Sequence, residues 1–236
     1  MNLGVIPARG GSKRIPRKNV KPFAGRPMIA WSIGAAIESG CFDRLVVSTD
    51  DEEIAEISRQ WGAEVPFLRP TELADDYATT TDVMRHAINW FTRSDRVPER
   101  VCCIYATAPF LRPDKLTEGL GLLENRGADF AFSITSYAFP IQRAIRLTPE
   151  RRVEMLMPEQ FSTRSQDLED VYHDAGQFYW GRGDAWLSGK PVFSSCATAV
   201  ILPRYSVQDI DTPDDWLRAE LMFKAFHELD APISKA

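Results

Sequence analysis

The chain has 236 residues with a formal net charge of −5, 44% apolar residues and 26% charged residues. That length suits one to two domains and buries roughly 70% of the unfolded surface, so folding needs neither disulfides nor a structural metal. The acidic balance disfavours a general nucleic-acid or anionic-membrane binder, which needs a basic face.

Leu3 to Ile6 predicts a short strand that stops at Pro7 and a Gly/Lys/Arg-rich loop. Met28 to Ser39 is apolar over a helical length and is closed by Gly40. Leu45 to Thr49 is β-branched and strand-like, and the acids Asp50 to Glu53 suit a helix N-terminus. Ile54, Ile57 and Trp61 recur at helical spacing before Gly62. Val65 to Leu68 reads as another strand, Asp82 to Phe91 as a helix, Val101 to Tyr105 as an apolar strand and Asp114 to Asn125 as a helix. Strand–helix alternation with near-continuous apolar strands predicts a mostly parallel α/β sheet with helices on both faces.

From Phe130 the rhythm changes. Phe130–Ile134, Ala144–Leu147, Arg152–Met155 and Gln177–Trp180 are strand-like without long helices between them. We expect residues 130–180 to be an insertion or dimerisation arm within a single domain spanning 1–236. Residues 198–203 predict a returning core strand, and Asp214 to Leu229 a final amphipathic helix. No apolar run approaches the roughly 18 residues of a membrane span. The N-terminus places its charges after its apolar stretch, the reverse of a secretion signal, so a cytoplasmic location is expected. Cys41, Cys102, Cys103 and Cys196 form no metal-type spacing and are expected as reduced thiols. His86 and His227 fall within helices and are expected to be structural.

The loop Pro7-Ala-Arg-Gly-Gly-Ser-Lys-Arg-Ile-Pro-Arg-Lys-Asn19 follows the first strand, where open α/β sheets bind ligands. It holds Arg9, Lys13, Arg14, Arg17 and Lys18, while Gly10 and Gly11 permit close backbone approach to an anion. It matches neither a Walker A loop nor the GxGxxG fingerprint, which disfavours a nicotinamide enzyme.

Read together with five later segments, this loop resembles the signature of the CMP-sialic acid synthetase family of cytidylyltransferases. Those segments are Leu45–Asp51, Phe67–Asp82, Cys103-Ile-Tyr-Ala-Thr-Ala-Pro-Phe110, the pair Thr163–Leu168 with His173–Tyr179, and Ser206–Trp216. The resemblance implies a three-layer Rossmann-like nucleotide-diphospho-sugar transferase fold. It implies transfer of CMP from CTP to an acidic nine-carbon sugar, usually by a homodimer. CTP would be held by Ala8, Arg9, Gly10, Gly11, Ser12, Lys13, Lys18 and Asn19, with Arg17 supporting the outer phosphates. Arg69 and Thr80, with Asn19, would read the base. Thr79 to Thr81 also fit a plain helix cap, and Asp50 and Asp51 fit no more than one. Tyr105, Arg164, Gln166, Asp174, Gln177 and Tyr179 would contact the acceptor, with Arg164 on its carboxylate. Tyr105 stands where sialic acid synthetases usually carry glutamine. That variant resembles the pseudaminic branch and implies pseudaminic acid as acceptor. A sialic or related ulosonic acid remains the alternative.

Asp209 and Asp211 lie two apart, so on a strand end both carboxylates face one side. Hard oxygen donors without His or Cys point to Mg²⁺ held with phosphate oxygens and water. Lys18, Arg9 and Asp211 are the expected catalytic group.

Overall fold

Leu3, Val5 and Ile6 are wholly buried in β1 (Asn2–Pro7), as an apolar strand covered on both faces must be. The structure, a computed structural model, describes residues 1–75, 77–93 and 98–230, without the side chains of 227–230. His227 therefore lies in the last helix with its side chain outside the described residues.

After the loop, β2 (Pro22–Phe23) and β3 (Arg26–Pro27) form a tiny hairpin. Its two turn residues, Ala24 and Gly25, have positive φ of 47° and 84°, as a tight two-residue hairpin demands. Helix α1 (Met28–Ser39) ends at left-handed Gly40, as its sequence predicts. Strand β4 (Arg44–Ser48) leads to α2 (Glu52–Gln60), whose first-turn amide at Ile54 is capped by Asp51.

The strand expected at Val65–Leu68 does not form. Only isolated pairings of Glu64 with Val46 and Leu68 with Thr49 occur, because Pro66 has no N–H to continue a ladder. Helix α3 (Thr80–Thr92) starts two residues early because Thr79 and Asp82 form a reciprocal capping box. Next come β5 (Arg100–Ile104), α4 (Pro113–Asn125), β6 (Phe130–Ser136) and the small hairpin β7 (Ile145–Leu147) with β8 (Val153–Met155). The chain closes with β9 (Tyr172–Arg182), α5 (Gly183–Ser188), β10 (Ala197–Leu202) and α6 (Pro213–Asp230).

The main sheet has the order β10-β6-β9-β5-β1-β4. Strand β9 runs antiparallel to both β5 and β6, and the other pairings are parallel. It is longer than the apolar run Gln177–Trp180 suggests. Gly176, at a φ of 62°, lies where its register against β6 shifts, so alternation is lost at a bulge rather than at a strand end. The segment 130–180 thus divides in two. Its ends, β6 and β9, are central strands, while β7 and β8 between them are largely exposed.

Ile29, Ile33, Leu116 and Leu123 pack on one face of the sheet against Ile6, Phe178 and Trp180. Met84, Ile88, Phe91 and Trp186 cover the other against Val5, Val101 and Phe130. The result is a three-layer α/β fold. A third apolar cluster joins Ile15 of the loop, Phe23 and Met28 to Ile210, Trp216 and Phe223. It clamps the loop after β1 to the chain before and within α6. Among the described residues no helix is long and apolar enough to cross a membrane.

Candidate active site

Strand β1 has β4 on one side and β5 on the other, both parallel to it. The winding direction therefore reverses at β1, and a crevice opens at the carboxyl ends of these strands. The loop 8–21, Thr49–Asp51, the chain from Tyr105 and the segment 203–212 all leave the sheet at this edge. The start of β9 reaches it from the opposite direction.

A cavity of about 440 Å³ is lined by Arg9, Ser12, Lys13, Lys18, Asn19 and Asp211, among others. Ala8, Gly10 and Gly11 form the backbone supporting those side chains rather than its wall. The Ala8 amide donates to Ser48 O at 2.9 Å, extending the strand pairing. The Gly10 N–H donates to Asp50 Oδ1 at 3.1 Å. A Cβ at Gly10 would sit 2.7 Å from Asp51 Oδ2, so glycine is required by the close approach of that carboxylate. Buried Asn19 holds the loop together by donating Nδ2 to Arg9 O at 3.0 Å. Arg9 Nη1 donates to the Asp75 carbonyl at 3.0 Å, tying the loop to the chain before α3.

Arg17 departs from its expected role beside the outer phosphates. Its guanidinium is committed to Asp51, with Nη2 2.9 Å from Oδ1, and to Glu53. Its backbone is left-handed, with φ of 57°. The hydrogen bond it donates to Asp51 raises the guanidinium pKa, and the same contact holds the Asp51 carboxyl below its usual range. Asp50 and Asp51 therefore do more than cap a helix: they anchor the loop.

Lys18 Nζ donates to Ile210 O at 2.7 Å and lies 3.4 Å from Asp211 Oδ1. Arg14 Nη2 lies 2.8 Å from Asp211 Oδ2. Residues 207–211 are not a ladder strand, but buried Ile210 separates the two carboxylates. Asp211 lines the first cavity and Asp209 a neighbouring one. Desolvation first, and then repulsion from Asp211, raise the Asp209 pKa. Thr212 and Asp215 make a reciprocal capping box at the start of α6. Among the described residues no group of three or more metal-ligating side chains exists. Two hard carboxylates whose charges repel nonetheless fit a divalent cation whose other ligands are phosphate oxygens and water.

Arg69 is buried, with Nη2 3.4 Å from Asp50 Oδ1 and no partner for Nε. Desolvation lowers its pKa. Thr80 is the first residue of α3. Tyr105 packs edge-on against Tyr179, with 5.6 Å between ring centroids, and burial raises its pKa. Tyr179 in turn donates to Asp174. The Tyr105–Tyr179 ring pair is therefore joined to Asp174.

Asp174 lines the second cavity, of about 560 Å³, which shares Tyr105 and Thr107 with the first. Of the expected acceptor contacts, Tyr105 and Asp174 line this space, and Tyr179 backs it through Asp174. Gln177 does not reach it: its buried Nε2 donates to Ser206 O at 2.6 Å, fastening β9 to the turn after β10. Arg164 and Gln166 stand exposed between β8 and β9, outside the lining. In their place the cavity presents Arg204 and Arg218, which the motifs did not single out.

A mostly parallel three-layer sheet with a cation-rich loop at its switch point defines a nucleotide-handling transferase. Residues 3–182 match the family described as Cytidylyltransferase, and the chain belongs to it. It is 44% identical to the pseudaminic acid cytidylyltransferase of Campylobacter jejuni over 96% of this chain and 98% of that one. It is 33% identical to the CMP-N,N'-diacetyllegionaminic acid synthase of Legionella pneumophila over 96% of this chain and 97% of that one. The solved structure of CMP:2-keto-3-deoxy-manno-octonic acid synthetase with CTP matches its fold at a TM-score of 0.68, with 17% identity. That match covers 95% of this chain and 99% of that one.

Proposed function

We propose that this cytidylyltransferase couples CTP to pseudaminic acid, giving the CMP-sugar and pyrophosphate. The 44% identity to the Campylobacter jejuni enzyme over nearly the whole of both chains carries the reading. The two adjoining cavities meeting at Tyr105 and Thr107 support it, since transfer needs two substrates side by side.

The anomeric hydroxyl of the sugar attacks the α-phosphate of CTP in line, and pyrophosphate leaves. Catalysis of this kind is positioning and charge neutralisation. Arg9, Ser12 and Lys13 hold the triphosphate, supported by the backbone at Ala8, Gly10 and Gly11. Lys18 faces the α-phosphate. Arg69, Asn19 and Thr80 read the cytosine, whose carbonyl suits the unpartnered Arg69 Nε. Tyr105 and Asp174 contact the acceptor. Asp209 and Asp211 would hold Mg²⁺, which when bound screens the triphosphate and favours the ionised hydroxyl. Arg14 and Lys18, which flank Asp211 in the same lining, supply positive charge to the phosphates.

We place the reaction in the cytoplasm, where CTP is made. The exposed segment between β6 and β9 serves a homodimer: Phe139 and Phe161 are 82% and 77% exposed, more apolar surface than an isolated arm has reason to show.

The deciding experiment is a panel of nonulosonic acids with CTP, with and without Mg²⁺, read as pyrophosphate release and product mass. Pseudaminic acid is expected to react fastest, and only with the metal. Faster turnover of N-acetylneuraminic or an eight-carbon ulosonic acid would replace the assignment.

A further inference from the structure

The Ser133 side chain sits where two central antiparallel strands fall out of step. Strands β6 and β9 pair Phe132 with Tyr179 and Ile134 with Asp174. Ser133 alone therefore faces the residues from Ala175 to Phe178, and such a bulge breaks the ladder locally. The wholly buried Ser133 hydroxyl takes the place of the lost ladder partners. Its Oγ accepts from the Gln177 and Phe178 amides, each at 3.3 Å, and donates to Phe178 O at 3.4 Å. A hydroxyl has one proton and two lone pairs, so these three contacts use its whole capacity. Ser133 lies outside the lining of both cavities and has nothing left to offer a substrate.

The bulge decides what faces the second cavity, where Asp174, Ala175 and Gly176 form part of the wall. Gly176 turns the chain at a φ of 62°, and its amide donates to Asp174 Oδ1 at 2.9 Å. The Tyr179 hydroxyl donates to the other carboxylate oxygen. Asp174 and Tyr179 are 5 positions apart, and in a regular strand an odd separation puts side chains on opposite faces. Their partners Ile134 and Phe132 share one face of β6, so the bulge returns both to the same side and one carboxylate is held at both oxygens. The Tyr105 amide donates to Gln177 O at 2.9 Å, so the ring shared by the two cavities is tied to the same bulge.

We infer that Ser133 is a positioning residue for the sugar: its hydroxyl fixes the β9 bulge, and the bulge sets Asp174 and Tyr105 against the substrate. The inference rests on the proposed transfer to a nonulosonic acid. The test measures kcat and the KM of pseudaminic acid and of CTP for Ser133→Ala, Ser133→Cys and Ser133→Thr, at a temperature where circular dichroism shows each variant folded. Ser133→Ala leaves two buried amides without an acceptor and is expected to raise the sugar KM about 10-fold, while the CTP KM stays within about twofold. Ser133→Cys, close in size but a weaker acceptor, falls between alanine and wild type. Ser133→Thr keeps the hydroxyl and restores the sugar KM. A serine that served only the fold would lower the active fraction and move neither KM. An unchanged sugar KM in the folded alanine or cysteine variant, with wild type active, overturns the inference alone, and so do equal rises in both KM values. A threonine variant as poor as the others would place the effect in volume and overturn the role of the hydroxyl. A wild-type enzyme inactive on every nonulosonic acid overturns the transfer reading, and this inference with it.

Discussion

Lys18 and Asp211, separated by 193 positions in the chain, stand 3.4 Å apart in the lining of one cavity at the switch point. The cluster of Ile15, Phe23, Ile210 and Trp216 brings them there by packing the loop after β1 against the approach to α6. The cation-rich loop and the acidic segment are thus one site. Lys18→Ala and Asp211→Ala are each expected to lower turnover about 100- to 1,000-fold, the usual cost of one transition-state group. Pyrophosphate release from purified variants with wild-type circular dichroism measures this. Release near the wild-type rate in either would remove that residue from the chemistry.

Ile210 supports the same meeting point from below. It is 1% exposed, so Ile210→Ala should cost about 2–5 kcal/mol of stability. Because its neighbours carry both carboxylates, the variant should also lose turnover at temperatures where it is still folded. Urea unfolding and activity measured side by side separate the two effects. A destabilised variant with full activity would show that the segment keeps its geometry without the anchor.

Arg17 is a loop anchor through Asp51, and that assignment has its own signature. Arg17→Ala and Asp51→Asn should each raise the CTP KM, and the double variant should be no worse than the more damaged single one. A residue that touched phosphate directly would give additive losses when combined with a distant partner. Full additivity in the double-mutant cycle would return Arg17 to the phosphates.

Much of this was legible in the sequence, because strand order and loop position follow from local patterns. Leu3 to Ile6 and Val101 to Tyr105 announce buried parallel strands, and Gly40 marks a helix end by its own stereochemistry. The glycine loop was legible by type and placement, whereas Asp209 and Asp211 lie on no strand end and line two adjoining cavities instead of one side. What pairing decides was not legible. Nothing local in Arg17 says that its charge is spent on Asp51. The apolar run Gln177–Trp180 hides a longer strand because the bulge at Gly176 breaks its alternation. Pro66 removes the strand that the apolar composition of Val65–Leu68 suggests. Gln177, Arg164 and Gln166 read as acceptor contacts by resemblance. The first is spent on Ser206 O, and the other two lie on the exposed segment.

His86 provides a test by pH. It packs edge-on to Phe67 at 4.8 Å between centroids, and its Nδ1 is buried without a partner. Desolvation first, then Arg93 and Arg69, lower its pKa, while Glu72 opposes them. The unfolded chain therefore binds a proton more readily than the native one. The neutral ring's contribution is complete above the unfolded value of about 6.5 and is lost as pH falls toward the native value. The urea midpoint should drop between pH 7 and pH 5, and His86→Phe should flatten that part of the dependence. An unchanged slope would mean that other groups carry it.

The exposed segment between β6 and β9 makes the remaining prediction. Ile145, Leu147 and Val153 on the small hairpin are 60%, 60% and 63% exposed, beside the more exposed Phe139 and Phe161. Monomers in water seldom keep so many large apolar side chains together, and a second copy offers each of them an equivalent partner about a twofold axis. Light scattering at micromolar concentration should report a dimer. Phe139→Asp combined with Phe161→Asp should shift it to monomer, because each introduced carboxylate would be buried unpaired in the interface. Tryptophan emission should stay as in wild type, since none of the six tryptophans lies between β6 and β9. A wild-type monomer at that concentration, or a variant that remains dimeric, would assign the apolar surface to something other than self-association.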